Sequence, residues 1–189
     1  MKKILVTGGA GYIGSHACKA LANAGYIPVT LDNLVSGRKS AVRWGPFEHG
    51  DIRDYAQLSS VLRKHKPDSV MHFAGLLNVS ESMNDPSNYY QTNVLGTLNL
   101  LESMRAESIE QIVFSSSAAV YGGSGDGMIA EDAPLKPMNP YGRTKLFAEN
   151  MLKDFGRSHG LSWIALRYFN AAGSDPDGET GQNIGSAFH

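Results

Sequence analysis

The chain has 189 residues, one domain with some to spare at roughly 150 residues per domain, and its 42% hydrophobic and 19% charged residues exclude wholesale disorder. A net charge of −1 without a basic run argues against nucleic acid or an anionic membrane surface as partner. The single cysteine, Cys18, excludes a disulfide framework and fits a reducing, cytoplasmic setting; no apolar run nears the ~18 residues of a membrane span, and Ile4–Val6 is too short for a signal-peptide core.

Short β-branched runs alternate with longer segments of helical period, which predicts βαβ units around a parallel sheet. The first strand is Lys3–Thr7, followed by a glycine-rich turn and a helix over 13–24 that Gly25 caps. Strands over 27–31 and 47–49 come next, the former ending at Asp32. Asp54 with Gln57 three residues on resembles a capping box and opens a helix that Pro67 terminates. A fourth strand spans 69–73. Pro86 suits a first helical position, and Tyr89, Tyr90, Val94, Leu98 and Leu101 read as the apolar core face of one helix over 86–106. A strand over 112–115, a helix over 141–157 and a strand over 163–167 complete the alternation. Between them, 117–140 is a long connection with four glycines and three prolines, a length at which structureless loops are usually functional. Residues 170–189 show too little periodicity for an element.

The turn Gly8-Gly9-Ala10-Gly11-Tyr12-Ile13-Gly14 joins the first strand to the first helix. Its chemistry requires the absence of side chains: a Cβ would hold the backbone away from a pyrophosphate that the helix amino terminus attracts. Asp32, 18 residues after Gly14, stands where a carboxylate accepts both ribose hydroxyls and repels a 2′-phosphate, which favours NAD over NADP.

Tyr141 and Lys145 lie four residues apart, on one face of a predicted helix. A free tyrosine has a pKa of about 10, and making it a base near pH 7 takes roughly 4 kcal/mol of favourable interaction with positive charge. Lys145 and a cationic nicotinamide are the two sources. Ser117 ends the serine run after the fifth strand, at the carboxyl edge where ligands bind in open α/β sheets, within reach of the same substrate oxygen.

With these motifs the chain resembles the extended short-chain dehydrogenase/reductase superfamily and, within it, the UDP-glucose (UDP-galactose) 4-epimerase family. The matching segments are Gly8–His16, Leu31–Leu34, Gly50–Arg53, His72–Leu76, Asn93–Thr97, Phe114–Gly122, Pro140–Lys145 and Arg167–Asn170. The resemblance implies a doubly wound parallel-sheet Rossmann NAD-binding domain over 1–170, with 171–189 as the start of a substrate domain that is otherwise missing. It implies that Gly8, Gly11, Tyr12, Ile13, Gly14, Asp32, Asn33, Asp51, Ile52, Phe73, Ala74 and Gly75 line the NAD site, completed by Asn93, Tyr141, Lys145, Tyr168 and Phe169. Ser117 and Tyr141 would meet the sugar 4-hydroxyl and Asn170 the nucleotide-sugar phosphates. Catalysis by Ser117, Tyr141 and Lys145 would take hydride from C4 and return it to the other face of a 4-keto sugar. A homodimer through the 86–106 and 141–157 helices is implied as well.

Two features depart from the family. Leu77 stands where a lysine usually follows Phe-Ala-Gly-Leu, which implies weaker NAD retention. After Gly178 the family pattern is lost and the chain stops at His189, as expected of a fragment, a frameshifted product or a shortened protein. A 4,6-dehydratase would need Asp-Glu directly after Ser117, where Ala118 and Ala119 stand. The reading from another class is an NAD-binding module without turnover. The histidines lack metal-ligand spacing, so no metal is expected; His72 reads as a satisfied strand-end residue, Cys18 as packing, and Asp175, Asp177 and Glu179 as a solvated turn.

Overall fold

The computed structural model describes residues 1–123 and 127–182. Aliphatic strands and amphipathic helices alternate along them: β1 (Lys3–Thr7), α1 (Tyr12–Asn23), β2 (Ile27–Asp32), β3 (Phe47–His49), α2 (Tyr55–His65), β4 (Ser69–His72), α3 (Val79–Asn84), α4 (Pro86–Tyr89), α5 (Gly96–Ala106), β5 (Gln111–Ser117), α6 (Pro140–His159) and β6 (Ser162–Tyr168). The strands pair in parallel in the order β3-β2-β1-β4-β5-β6, so the direction of winding reverses between β1 and β4. Ligands bind outside the carboxyl ends of strands at such a reversal.

The two faces of the sheet are covered unequally. Leu5, Val29, Val70, Ile112 and Phe114 meet Leu58 and Leu62 of α2, Leu100 and Met104 of α5, and Leu152 of α6 in one large core. On the opposite face Ile4 and Val6 pack against Cys18 of α1, with Leu21, Trp44, Met71 and Phe73 around them. Among the described residues, α1 and Trp44 of the β2–β3 connection cover that face, which thins towards β6.

Several elements differ from the sequence expectation. The single helix over 86–106 is divided: α4 gives way to a π-helical turn, Tyr90–Leu95, before α5 begins. The wider turn rotates the apolar stripe out of phase, so Tyr89 and Leu101 are fully buried while Leu98 is exposed. Helix α3 was not expected, although Asn78 and Glu81 carry its start signal: the Asn78 side chain accepts from the Glu81 amide. At α2 only half of the capping box forms. Asp54 accepts from the Gln57 amide, but the Gln57 side chain accepts from the Asp51 amide and donates to the His49 carbonyl. Gly25 takes the left-handed conformation that its capping position requires.

Candidate active site

Backbone close approach explains the glycines of the first turn. Gly8 has φ +70°, and a Cβ there would lie 2.6 Å from the Ala74 nitrogen; one on Gly14 would lie 2.2 Å from the Gly8 carbonyl oxygen. The turn therefore nests against the β4 loop and the start of α1. Gly11 caps α1 without a side-chain acceptor, which leaves its first amides free for an anion.

Around this turn opens a cleft of about 700 Å³ along the carboxyl edge of the sheet. Gly8, Gly11, Tyr12, Ile13 and Gly14 form one end; Asp32, Asn33, Asp51 and Ile52 line the β2–β3 side; Phe73, Ala74 and Gly75 form the wall after β4. At the far end stand Ser117, Tyr141 and Lys145, with Tyr168, Phe169 and Asn170 on the rim. Asn93 alone of the expected residues is not on the wall. It lies behind it, buried, accepting from the Leu76 amide and donating to the Leu76 carbonyl and Thr144 hydroxyl. The π turn aims it there, fixing the loop after Gly75 to α6.

Each polar group carries a distinct load. Asp32 accepts from the Ala10 and Leu34 amides at 3.0 and 2.8 Å, yet burial outweighs both and pushes its carboxyl up. Asp51 is held the other way, to about 2, chiefly by the Arg53 guanidinium, which bonds it through two nitrogens. Burial brings the Lys145 ammonium down to about 8. Its Nζ donates to the Ser115 carbonyl at 2.8 Å and lies 5.0 Å from the Phe114 ring. In the chain by itself burial pushes the Tyr141 phenol up, against the opposing influence of the Ser117 hydroxyl. Lys145 Nζ is 5.9 Å from the Tyr141 ring centre.

The Ser117 Oγ accepts from the Ala119 amide in the short 3₁₀ turn Ala118–Val120, so β5 ends with the hydroxyl fixed at the cleft. Tyr141 sits in the first turn of α6, set by Asn139 accepting from the Gly142 amide and by Pro140 at the first helical position. The Tyr89 ring stands edge-on to it at 6.4 Å.

Sequence reasoning missed Asn88 and Thr92, which the cleft gains from α4 and the π turn, and Arg53, whose pairing with Asp51 was not foreseen. It also missed Glu149, although its spacing of four from Lys145 marks the same face of α6. Asp175, Asp177 and Glu179 lie in a turn, Asp177 and Glu179 with exposed side chains, and the structure adds what the sequence did not show: all three carboxylates converge on Lys19, with Asp175 buried. His72 is satisfied, its ring nitrogens 2.6 and 3.0 Å from the Thr7 and Thr97 hydroxyls, and burial drops it to about 3. Cys18 is buried in packing.

The sheet order, the side-chain-free turn, the strand-end acid and the Ser/Tyr/Lys end of the cleft together define the extended short-chain dehydrogenase/reductase class. The NAD dependent epimerase/dehydratase family matches residues 4–187, and the chain belongs to it. It is 51% identical over 179 residues to a UDP-glucose 4-epimerase of Rhizobium leguminosarum bv. trifolii, covering 95% of this chain and 55% of that protein. The crystal structure of UDP-glucose 4-epimerase from Brucella ovis in complex with NAD superposes with a TM-score of 0.97 at 49% identity, over 100% of this chain and 58% of that one. The Bifidobacterium longum enzyme in complex with NAD+ and UDP gives 0.92 at 36% identity, over 96% and 57%. The chain thus spans about half the length of the curated relatives it matches. No helix among the described residues is long and apolar enough to cross a membrane.

Proposed function

We propose that the chain is the cofactor-binding and proton-transferring half of a UDP-sugar 4-epimerase that interconverts UDP-galactose and UDP-glucose with NAD. The observation that carries this is the single cleft joining the glycine turn at one end to Ser117, Tyr141 and Lys145 at the other. Its first end fits a pyrophosphate, because Gly8 and Gly14 let the turn close against the loop after β4 and the start of α1, and the α1 amides have no side-chain acceptor. Gly8, Gly11, Tyr12, Ile13 and Gly14 would hold the pyrophosphate; Asp32, Asn33, Asp51 and Ile52 the adenosine end; Phe73, Ala74, Gly75, Tyr168 and Phe169 the remaining length, with Asn93 acting through the Leu76 backbone. Bound there, the dinucleotide supplies a reversible hydride acceptor for the sugar C4.

The chain's own residues manage the proton. Tyr141 takes it from the sugar 4-hydroxyl, and Ser117 hydrogen-bonds the same oxygen. Lys145, mostly protonated at pH 7, supplies positive charge toward the phenolate that burial disfavours. Asn170 on the rim would meet the nucleotide-sugar phosphates. Ala118 and Ala119 leave no acid pair after Ser117, which weighs against a dehydratase. Residues 1–170 form the cofactor domain in this reading and 171–189 the start of a substrate domain. The partly exposed Leu95, Leu98 and Phe147 support a homodimer through the 86–106 and 141–157 helices. The buried free thiol of Cys18 suits the cytoplasm.

Calorimetric titration with NAD and NADP, followed by a coupled assay with UDP-galactose, tests the reading. The 189-residue chain should bind NAD more tightly than NADP. It should form no more UDP-glucose than its Tyr141→Phe variant, because the chain spans about half the length of its relatives and orienting the sugar draws on contacts beyond the cofactor half. Joined to the C-terminal half of a full-length relative, it should gain turnover that Tyr141→Phe removes. Tighter NADP binding, or equal activity of the Tyr141→Phe form of that fusion, overturns the assignment.

A further inference from the structure

The segment after β6 turns back over α1. Tyr12, Ser15 and Lys19 occupy one face of that helix, and each holds a different point of the segment. The Tyr12 hydroxyl donates to the Gly173 carbonyl, and the Ser15 and Thr180 hydroxyls share a hydrogen bond. Lys19 Nζ reaches Asp175 at 2.8 Å, Asp177 at 2.6 Å and Glu179 at 2.8 Å. The segment is also folded on itself: the Asp175 amide donates to the Thr180 carbonyl, the Gly178 amide to the Asp175 carbonyl, and the Glu179 amide to the Asp175 carboxylate.

Carboxylate oxygens of the three acids lie within 4.8 Å of one another. Like charges at that spacing repel, and the Lys19 ammonium is the group that makes their convergence favourable. Since each acid already bonds the ammonium, the cluster is a clasp. Its place matters, because the clasped stretch is bracketed by residues of the cleft: Asn170 and Ala171 before it and Gln182 after it. The helix that carries Lys19 is the one whose amino terminus bears the glycine turn.

We infer that Lys19 is a positioning residue that straps 173–180 onto α1, so that Asn170, Ala171 and Gln182 are held on the wall of the cleft and slow release of the bound dinucleotide. This rests on the NAD reading above. A reaction that returns its hydride to the same sugar needs a cofactor that stays, which gives such a strap a purpose.

The test compares wild type, Lys19→Met and Lys19→Arg by NAD displacement kinetics, thermal unfolding, and cleavage of the free protein after Glu179 by a glutamate-specific protease. Lys19→Met should release NAD about tenfold faster or more, with an unchanged unfolding midpoint and faster cleavage at Glu179, and Lys19→Arg should restore slow release. Unchanged NAD release in Lys19→Met overturns the retention role, whatever the protease shows. Unchanged cleavage overturns the clasp itself. A wild type that binds no NAD defeats the cofactor reading and the retention role together, while the cleavage comparison still decides the clasp.

Discussion

Lys145 shows how a residue can be costly where it works. Its ammonium is buried against Phe114 with one carbonyl partner, and its pKa falls from the usual lysine value to about 8. The folded chain therefore sheds this proton before the unfolded chain does. Between the two pKa values the unfolded state binds more protons, so stability contributed through Lys145 rises with pH. Urea unfolding of wild type should gain about 2 kcal/mol relative to Lys145→Met between pH 7 and pH 10. Parallel pH dependences in the two proteins would show that the ammonium is better solvated than the structure has it. Asp32 has the opposite tuning problem: burial raises it, and the Leu34 and Ala10 amides are the main groups that favour the carboxylate at the ribose end.

Between elements, Glu149 joins α6 to the ends of β5 and β6. It accepts from the Ser116 hydroxyl, next to Ser117, and from Arg167 at 3.0 and 2.8 Å, next to Tyr168. Arg167 in turn reaches the Tyr121 hydroxyl and the Glu131 carbonyl, pinning the described part of the long connection to β6. Removing one partner strands the other's charge, so Glu149→Leu should cost about 2 to 3 kcal/mol in urea unfolding. Glu149→Leu with Arg167→Leu should recover part of that loss, because the pair leaves together. A double variant no more stable than the single would locate the cost in packing. The π turn acts at the same scale, since it aims Asn93 at Leu76 and Thr144 and brings Thr92 to the cleft.

At the scale of the molecule, one row of residues measures how well the sheet is covered. Val6, Met71, Val113 and Ile164 are register partners on the α1 side of β1, β4, β5 and β6. Exposure runs from 0% at Val6 to 58% at Ile164, with Leu166 two residues on at 37%. A parallel sheet ordinarily buries both faces, and contiguous apolar surface of this kind drives association. Sedimentation should show the 189-residue chain assembling beyond a dimer as concentration rises, and Ile164→Lys with Leu166→Lys should suppress it. Association that ignores both substitutions would place the contact elsewhere.

What was legible in the sequence was local. Strand and helix periods, the Gly8–Gly14 turn, Asp32 at a strand end and the four-residue step from Tyr141 to Lys145 follow from backbone geometry and spacing, and the sheet and cleft realise them. Tertiary structure decided whatever depends on which segments meet. The helix over 86–106 is divided because a π turn carries the buried Asn93 to Leu76 and Thr144, and no periodicity over that window records it. The common partner of Asp175, Asp177 and Glu179 is invisible in sequence because Lys19 lies more than 150 positions away, and only folding back over α1 brings the ammonium among them. The upward pull of burial on the Tyr141 phenol is likewise set by how much water the fold removes, a property of the whole packed cleft rather than of any spacing.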